Sequence, residues 1–370
     1  MSMVYSEDDR MLADTAEEFL SARSPVSAQR ALRDNGAILN YDADIWQQMM
    51  ELGWGAITFS EELGGLDFGY KGMGAIFEAM GKHLAASPML SSVTLCGSLL
   101  QQLANTEQQA WLTAIISGEK RLALAVDEHA RHKPDAINTT ATTVNDGFIL
   151  SGKKTMVIDG VSPDGWIVSA QHEVGCSLFI VPFSDQVKVK RLKLIDSRNY
   201  AELTFSDLKL PAAALLGKAG DSFKALEHAL DLGRLCLSSE MLGSLKALFN
   251  MTVEYLKVRE QFGVKIGTFQ ALQHRAARCF VELELAQSCV TTALSTANDS
   301  PENLAASVSL AKWKLSKVAD LISGEAVQMH GGIGVTDELD IGLYLKRIRV
   351  AQMCFGDSDF HQARFSALMA

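Results

Sequence analysis

The sequence has no apolar run of the ~18–20 residues that a bilayer-crossing helix needs, so a membrane-spanning protein is not expected. Basic charge is in deficit. Lys and Arg number 34 against 44 Asp and Glu, a net charge of −10, and a nucleic-acid-binding chain would normally carry a basic footprint. Neither G-x-G-x-x-G nor G-x-x-x-x-G-K-[ST] occurs, which argues against a doubly wound nucleotide-binding domain. The six cysteines (Cys96, Cys176, Cys236, Cys279, Cys289 and Cys354) form no C-x-x-C pair and no His–Cys ligand spacing. They read as reduced, mostly buried thiols. His129 and His132 stand in one loop without a further ligand pair, so no metal site is expected. The start, Met-Ser-Met-Val-Tyr-Ser-Glu-Asp-Asp-Arg, is acidic where a signal peptide is basic and then apolar. The expectation is a cytoplasmic globular protein.

What is present is enough apolar material for a sizeable core: 48% of 370 residues, with 21% charged. At about 100–200 residues per domain, two or three domains are expected. The hydrophobic period divides the chain into three blocks. Residues 1–118 have helical spacing. Ser6 followed by Glu7, Asp8 and Asp9 is an N-cap with acids in the first turn. Asp44–Leu52 and Met73–His83 keep the i, i+3, i+4 rhythm, with a glycine-rich loop at Phe59–Gly69 between them. Residues 119–220 switch to short β-branched segments punctuated by turns, including Asn145-Asp146-Gly147, a strong hairpin signal. No crossover helices intervene, so an antiparallel barrel or sandwich is expected. In residues 221–370 long helical stretches return: Phe223–Val258, Phe269–Thr296, and a third from Ser300-Pro301-Glu302 to Met329, stopped by Gly331-Gly332. They imply a four-helix-bundle-like domain. The fold class is α+β, ordered helical, β, helical. The alanine-rich apolar faces of the last block also call for a partner surface.

Two C-terminal strings carry the reading further. Arg259-Glu-Gln-Phe262-Gly263-Val-Lys-Ile266-Gly-Thr-Phe269-Gln270 joins two long helices, and Gln328-Met-His-Gly331-Gly332-Ile-Gly334 closes the third. With the Glu62-Leu-Gly-Gly loop, Gly147-Phe-Ile-Leu-Ser-Gly152-Lys153-Lys154 and Leu203-Thr-Phe-Ser-Asp-Leu-Lys-Leu-Pro211, they resemble the acyl-CoA dehydrogenase family over nearly the whole chain. The resemblance implies an oxidoreductase of fatty-acid or lipid metabolism, with FAD between the β domain and the C-terminal bundle and reaching a neighbouring subunit of a tetramer. Arg259, Phe262, Gln270, Gln328 and Gly332 would contact the FAD, with Met156 and Asp357 as further candidates. A guanidinium forks onto a pyrophosphate, and a glycine lets backbone approach a cofactor. The implied reaction is α,β-dehydrogenation of an acyl-CoA thioester. A carboxylate removes the α-proton and a hydride leaves the β-carbon.

The sequence departs from the family where that carboxylate belongs. The usual Tyr-Glu-Gly-Thr string falls on Cys354-Phe355-Gly356-Asp357, which puts Phe355 at the glutamate position. The alternative position, just before an arginine in the first long helix of the bundle, falls on Gly233, followed by Arg234. Glu240 and Arg234 are the remaining candidates for a catalytic role; Glu240 is a conceivable replacement base, although it lies about 10 Å further along that helix. Asp357 and Asp359 are shorter acids flanking the first string. In the β domain, the Thr-Glu-Pro-x-Ala-Gly-Ser-Asp string whose hydroxyls touch the flavin aligns with Asp127–Pro134. The aromatic-x-Thr pair aligns with Met156-Val157-Ile158.

Three functional expectations follow. One is an active dehydrogenase with an unusual base. Another is a partner subunit whose C-terminal motifs complete the FAD site of a related chain, in a homo- or hetero-oligomer built as a dimer of dimers. The third is a flavin oxidase or monooxygenase, or an inactive acyl-CoA- and FAD-binding protein, on the same scaffold.

Overall fold

The computed structural model describes residues 6–370; the rest of the acidic start, Met1–Tyr5, lies outside the described residues. The Ser6 cap is realised as a capping box. Its Oγ accepts from the Asp9 N–H at 3.0 Å while Asp9 Oδ2 accepts from the Ser6 N–H at 2.9 Å. Helix α1 (Glu7–Arg23) follows, then α2 (Val26–Asp34), α3 (Ala43–Glu51), α4 (Tyr70–His83), a buried π-helix at Met89–Gly97, α5 (Ser98–Leu103) and α6 (Gln109–Ile116).

The β region comprises β1 (Leu122–Ala125), β2 (Thr140–Val144), β3 (Gly147–Ile158), β4 (Gly165–His172), β5 (Gly175–Pro182), β6 (Lys188–Leu192), β7 (Tyr200–Pro211) and β8 (Leu215–Leu216). Five long helices follow: α7 (Phe223–Val258), α8 (Gln270–Asp299), α9 (Leu304–His330), α10 (Ile341–Met353) and α11 (Ser358–Met369). The small hairpin of β9 (Glu260–Gln261) and β10 (Val264–Lys265) joins α7 to α8. Along the chain the order is helical, β, helical, an α+β protein. One expected boundary moves. Ser300 makes no side-chain cap, Pro301–Asn303 form a 3₁₀ turn, and α9 begins only at Leu304.

The chain gathers into two compact units. One contains the chain up to Ala31, Tyr70–Ala85 and Arg234–Ala370; the other contains Leu32–Gly69 and Ala86–Gly233.

In the second unit the strands order as β6-β7-β3-β2-β4-β5-β8, with β1 paired to β4. The Asn145-Asp146 turn makes the β2–β3 hairpin, with Val144 opposite Gly147. The sheet is not wholly antiparallel as expected. β1 runs parallel to β4, and β2 touches β4 in parallel at Thr140. The β2–β3 hairpin lies in the long connection from β1 to β4, so a parallel neighbour is reached without a crossover helix. Strand β3 also runs on past Leu150 to Ile158, with irregularities against β7 between Leu150 and Gly152 and between Lys154 and Val157. At the second of these Met156 takes a left-handed φ of 54°. The inner faces close on Leu150, Trp166, Val168, Phe179 and Leu203. Lys188 and Lys190 keep the edge strand β6 solvated.

In the first unit, every residue of α7 from Arg234 to Leu245 is buried, as a helix surrounded by others must be. It meets α4 at two glycines. A Cβ on Gly81 would stand 1.9 Å from the Glu240 carbonyl oxygen, and one on Gly243 1.9 Å from that of Glu78. Ser244 Oγ donates to the Gly81 carbonyl at 2.9 Å across the same crossing. Both obstacles are backbone, which cannot swing aside. Gly81→Ala should therefore cost about 1–3 kcal/mol by overpacking, read as a lower urea midpoint at unchanged slope.

Candidate functional site

Three groups of residues are candidates for function, each described within its own unit: two belong to the helical unit and one to the β unit. The first is built where α7 ends. The β9–β10 hairpin turns through Phe262 (φ 57°) and Gly263 (φ 79°), both left-handed as a two-residue turn requires. Phe262 is 92% exposed and meets the Phe269 ring edge-on at 6.3 Å. Beneath the hairpin, Leu256 and Ile266 share a small apolar cluster with Met329 of α9. Tyr255 stacks on the His330 ring at 4.2 Å, and His330 Nδ1 lies 2.8 Å from the Ala326 carbonyl. Burial pulls the His330 imidazole below its ordinary range, against the Ala326 hydrogen bond. Two motifs remote in sequence are thus fastened together.

Their polar members face outward. The side chains of Arg259, Gln270 and Gln328 are exposed and have no hydrogen-bond partner among the described residues. Gly331 and Gly332 are open: a Cβ on either would meet no atom within 4 Å. A cationic fork, two amides and bare glycine backbone on one surface fit an anionic nucleotide-bearing cofactor.

The second group surrounds the turn after α10. Phe355 has a left-handed φ of 58°, and Asp357 caps α11 by accepting from the Phe360 N–H at 2.9 Å. The Phe355 carbonyl accepts from Arg234 Nε at 3.0 Å and faces His361 Nε2 at 3.2 Å. Arg234 is fully buried, its guanidinium carbon 5.5 Å from the Phe360 ring centroid. Arg234 therefore holds the turn, and Asp357 serves as a cap. Glu240, the conceivable replacement base, is the buried partner of Arg347. Its two oxygens accept from Nε at 2.7 Å and Nη2 at 2.9 Å, a bidentate pairing that occupies the carboxylate. Gly233 lies inside α7 in the other unit and brings no side chain.

The third group is the loop after β1. Glu128 accepts from the Asn138 N–H at 2.7 Å, the Thr139 N–H at 3.0 Å and Lys154 Nζ at 2.7 Å. Lys154, wholly buried, also donates to the Val126 carbonyl and to Ser169 Oγ, each at 3.0 Å. Burial raises the Glu128 carboxyl, and Lys154 with the Thr139 N–H more than offsets this, so Glu128 titrates below the usual carboxylate range. Asp127, at the position where the resemblance puts a hydroxyl on the flavin, instead faces His132 Nδ1 at 2.8 and 2.9 Å. The His132 side chain is only 2% exposed. A carboxylate closed onto its own loop is no hydroxyl donor, and Ile158 offers none. Met156 sits half-buried at its bulge. The side chains that the resemblance assigns to FAD are therefore exposed, and unpartnered among the described residues, at Arg259, Gln270 and Gln328 on the helical unit, whereas the polar side chains of the β-unit loop are paired among themselves.

The sequence reading did not identify Lys154, Glu128, Arg347 or Lys312 as structural centres. Each acts through a partner remote along the chain, which local spacing does not show.

A chain ordered helical, β, helical with these paired strings has the organisation of the acyl-CoA dehydrogenase fold. Family comparison agrees: residues 6–119 match the acyl-CoA dehydrogenase N-terminal domain and residues 220–367 the acyl-CoA dehydrogenase C-terminal domain. The chain belongs to the acyl-CoA dehydrogenase family, whose members bind FAD. Among its relatives, the caffeyl-CoA reductase-Etf complex subunit CarC of Acetobacterium woodii is 28% identical, covering 99% of both chains. The human mitochondrial short-chain specific acyl-CoA dehydrogenase is 27% identical over 98% of this chain and 90% of its own. The ChsE4-ChsE5 complex of Mycobacterium tuberculosis contains a chain similar at 25% identity and a TM-score of 0.91, covering 100% of this chain and 99% of that one.

Glu128 supplies a stability prediction. Its depressed carboxyl stabilises the fold above the unfolded value near 4.5, and that contribution is lost as pH falls through the folded value. Lys154→Met strands the carboxylate, so unfolding at pH 7 should cost about 3–5 kcal/mol less. The acid limb of a urea–pH stability curve should flatten in the variant; an unchanged curve would show the pair to be inert.

Proposed function

We propose that this chain is the partner subunit of a heteromeric FAD-dependent acyl-CoA dehydrogenase. In this reading its Arg259, Phe262, Gln270, Gln328 and Gly332 surface holds the nucleotide part of an FAD whose flavin lies on a related chain that carries the catalytic glutamate. One observation carries the reading: both base positions, Phe355 and Gly233, lack a carboxylate, and Glu240 is consumed by Arg347, while the cofactor-facing surface is open. The ChsE4-ChsE5 complex, 25% identical in the similar chain, lends support as a complex of two named components.

FAD, when bound, supplies the hydride acceptor. Within this chain Arg259 would bind the pyrophosphate by a charge-assisted fork, Gln270 and Gln328 would orient it, and the Gly331-Gly332 backbone would admit it closely. A phenyl ring accepts no proton, so the Phe355 turn can bind a thioester but cannot take its α-proton.

Arg259→Ala should lower flavin retained through gel filtration, with Gln328→Ala milder in the same direction. Stoichiometric flavin in both would overturn the cofactor assignment.

Activity gives a separate test. A positioned base contributes about 10²–10⁴-fold, so the isolated chain supplied with FAD should leave the flavin unbleached in anaerobic titration with acyl-CoAs of several lengths. A co-encoded paralogue with glutamate at a base position should restore bleaching, and Phe355→Glu should restore part of it. Robust turnover by the isolated chain, abolished by Glu240→Gln, would overturn the partner-subunit reading; so would rapid re-oxidation by oxygen.

A further inference from the structure

Lys312, on α9, is a wholly buried lysine to which neither the family resemblance nor the proposed function gives a role. Its Nζ donates to the carbonyls of Ala351 at 2.8 Å, Gln352 at 3.1 Å, Cys354 at 3.1 Å and Gly356 at 3.3 Å. These are the last carbonyls of α10 and of the turn that follows, groups a helix end leaves without intrahelical partners. A cation at a helix C-terminus is also favoured by the helix dipole.

The three carbonyls of the turn alternate in direction. Those of Cys354 and Gly356 go to Lys312, while that of Phe355, between them, goes to Arg234 and His361. The chain has no cis peptide among the described residues, and a trans peptide holds its N–H opposite its C=O. Fixing the Cys354 carbonyl on Lys312 therefore directs the Phe355 N–H away from Lys312. Arg234 fixes the next peptide plane in the opposite sense. The left-handed φ of Phe355, costly for a bulky residue, is what joins two planes so fixed.

We propose that Lys312 is a positioning residue that, with Arg234, aims the Phe355 backbone N–H as a hydrogen-bond donor to the carbonyl oxygen of an acyl thioester. This rests on the acyl-CoA reading above and adds to it the residue that orients the donor. The arrangement needs an ammonium. A neutral amine has two donors and turns a lone pair toward four carbonyl oxygens.

Burial pulls Lys312 down to about 7; Cys354 and Asp357 favour its charge, and Arg234 and Arg347 oppose it. His361 of α11 shares the turn. On the α8 side, Arg275 and Glu282 are paired with Glu325 and Lys314. The clamp should thus be whole below pH 7 and released as pH rises through that value.

The test compares butyryl-CoA with S-butyl-CoA, which lacks the carbonyl oxygen, on the purified full-length chain by calorimetry from pH 6 to 8.5. At pH 6 the thioester should bind about threefold to tenfold more tightly than the thioether, one ordinary hydrogen bond, and the ratio should approach one by pH 8.5. In Lys312→Met the ratio should be near one throughout. In Lys312→Arg, which cannot deprotonate in this range, it should not fall with pH. Amide hydrogen exchange of the Met353–Ser358 segment, corrected for intrinsic rate, should quicken at least tenfold in Lys312→Met and in the wild type above pH 8. If Lys312→Met fails to fold, Lys312→Arg and the wild-type pH series decide. Unchanged exchange overturns the clamp. A pH dependence that survives in Lys312→Met belongs to another group and also overturns it. Fast exchange in Lys312→Met with no wild-type binding of butyryl-CoA would uphold the clamp, overturn its thioester role and sink the acyl-CoA reading with it.

Discussion

Two buried cations on opposite sides of one four-residue turn set the geometry on which the helical half of this molecule depends. Lys312 gathers the carbonyls at the end of α10, and Arg234 takes the one carbonyl that points the other way. An isolated ammonium or guanidinium in that interior would be costly. Here Lys312 is met by four carbonyl dipoles at a helix end, and Arg234 shares the Phe355 carbonyl with His361. The cations, the helix end and the left-handed residue are thus coupled through one short segment. Such arrangements specify a single backbone conformation more than they add net stability.

The same logic recurs twice. Glu240 and Arg347 cross from α7 to α10 as a bidentate pair, and Lys154 with Glu128 ties β3 to the loop after β1. Buried pairs of this kind gain little over apolar replacements of similar shape, but breaking one partner is expensive. Their effect is on register. Lys154 fixes where β3 sits against its loop, just before the bulge that carries Met156. Arg347 fixes the rotation of α10, whose end delivers the Phe355 turn. Position at both candidate surfaces is thus held by charge, while the bulk of each unit is held by apolar packing.

Local features of the fold were legible in the sequence. The Ser6 cap, the Asn145-Asp146-Gly147 hairpin and the span of α7 are each written within a few neighbouring residues. The empty base positions at Phe355 and Gly233 were legible for the same reason, since a missing carboxylate shows in a single position. What escaped depends on partners far along the chain. Lys154 finds Glu128 at a separation of 26 residues, Lys312 finds its carbonyls at 39–44, and Glu240 finds Arg347 at 107. A lysine in a strand pattern reads as a solvated position until its partner is known. Strand β3 nonetheless runs through Lys153 and Lys154 to Ile158. The loop at Asp127 was legible in composition, as a string without hydroxyls, but not in geometry. Its closure on His132 depends on backbone curvature that no spacing encodes.

The contrast between the two halves of the cofactor chemistry has a physical reading. On the helical unit, the proposed recognition would use exposed groups on a packed base, where Leu256, Ile266 and Met329 fasten two motifs and the side chains of Arg259, Gln270 and Gln328 have no hydrogen-bond partner among the described residues. Groups presented in this way need no reorganisation to meet a ligand, which keeps the entropic cost of binding low. On the β unit the equivalent loop has spent its polar groups on itself: Asp127 on His132 and Glu128 on Lys154. Opening that loop to a flavin would break buried charge-assisted hydrogen bonds before any new one formed. A chain with one ready surface and one self-satisfied surface is better matched to completing a site than to enclosing one. The Phe355 turn agrees with this, because it keeps a fixed backbone and lacks the one side-chain group that chemistry would require.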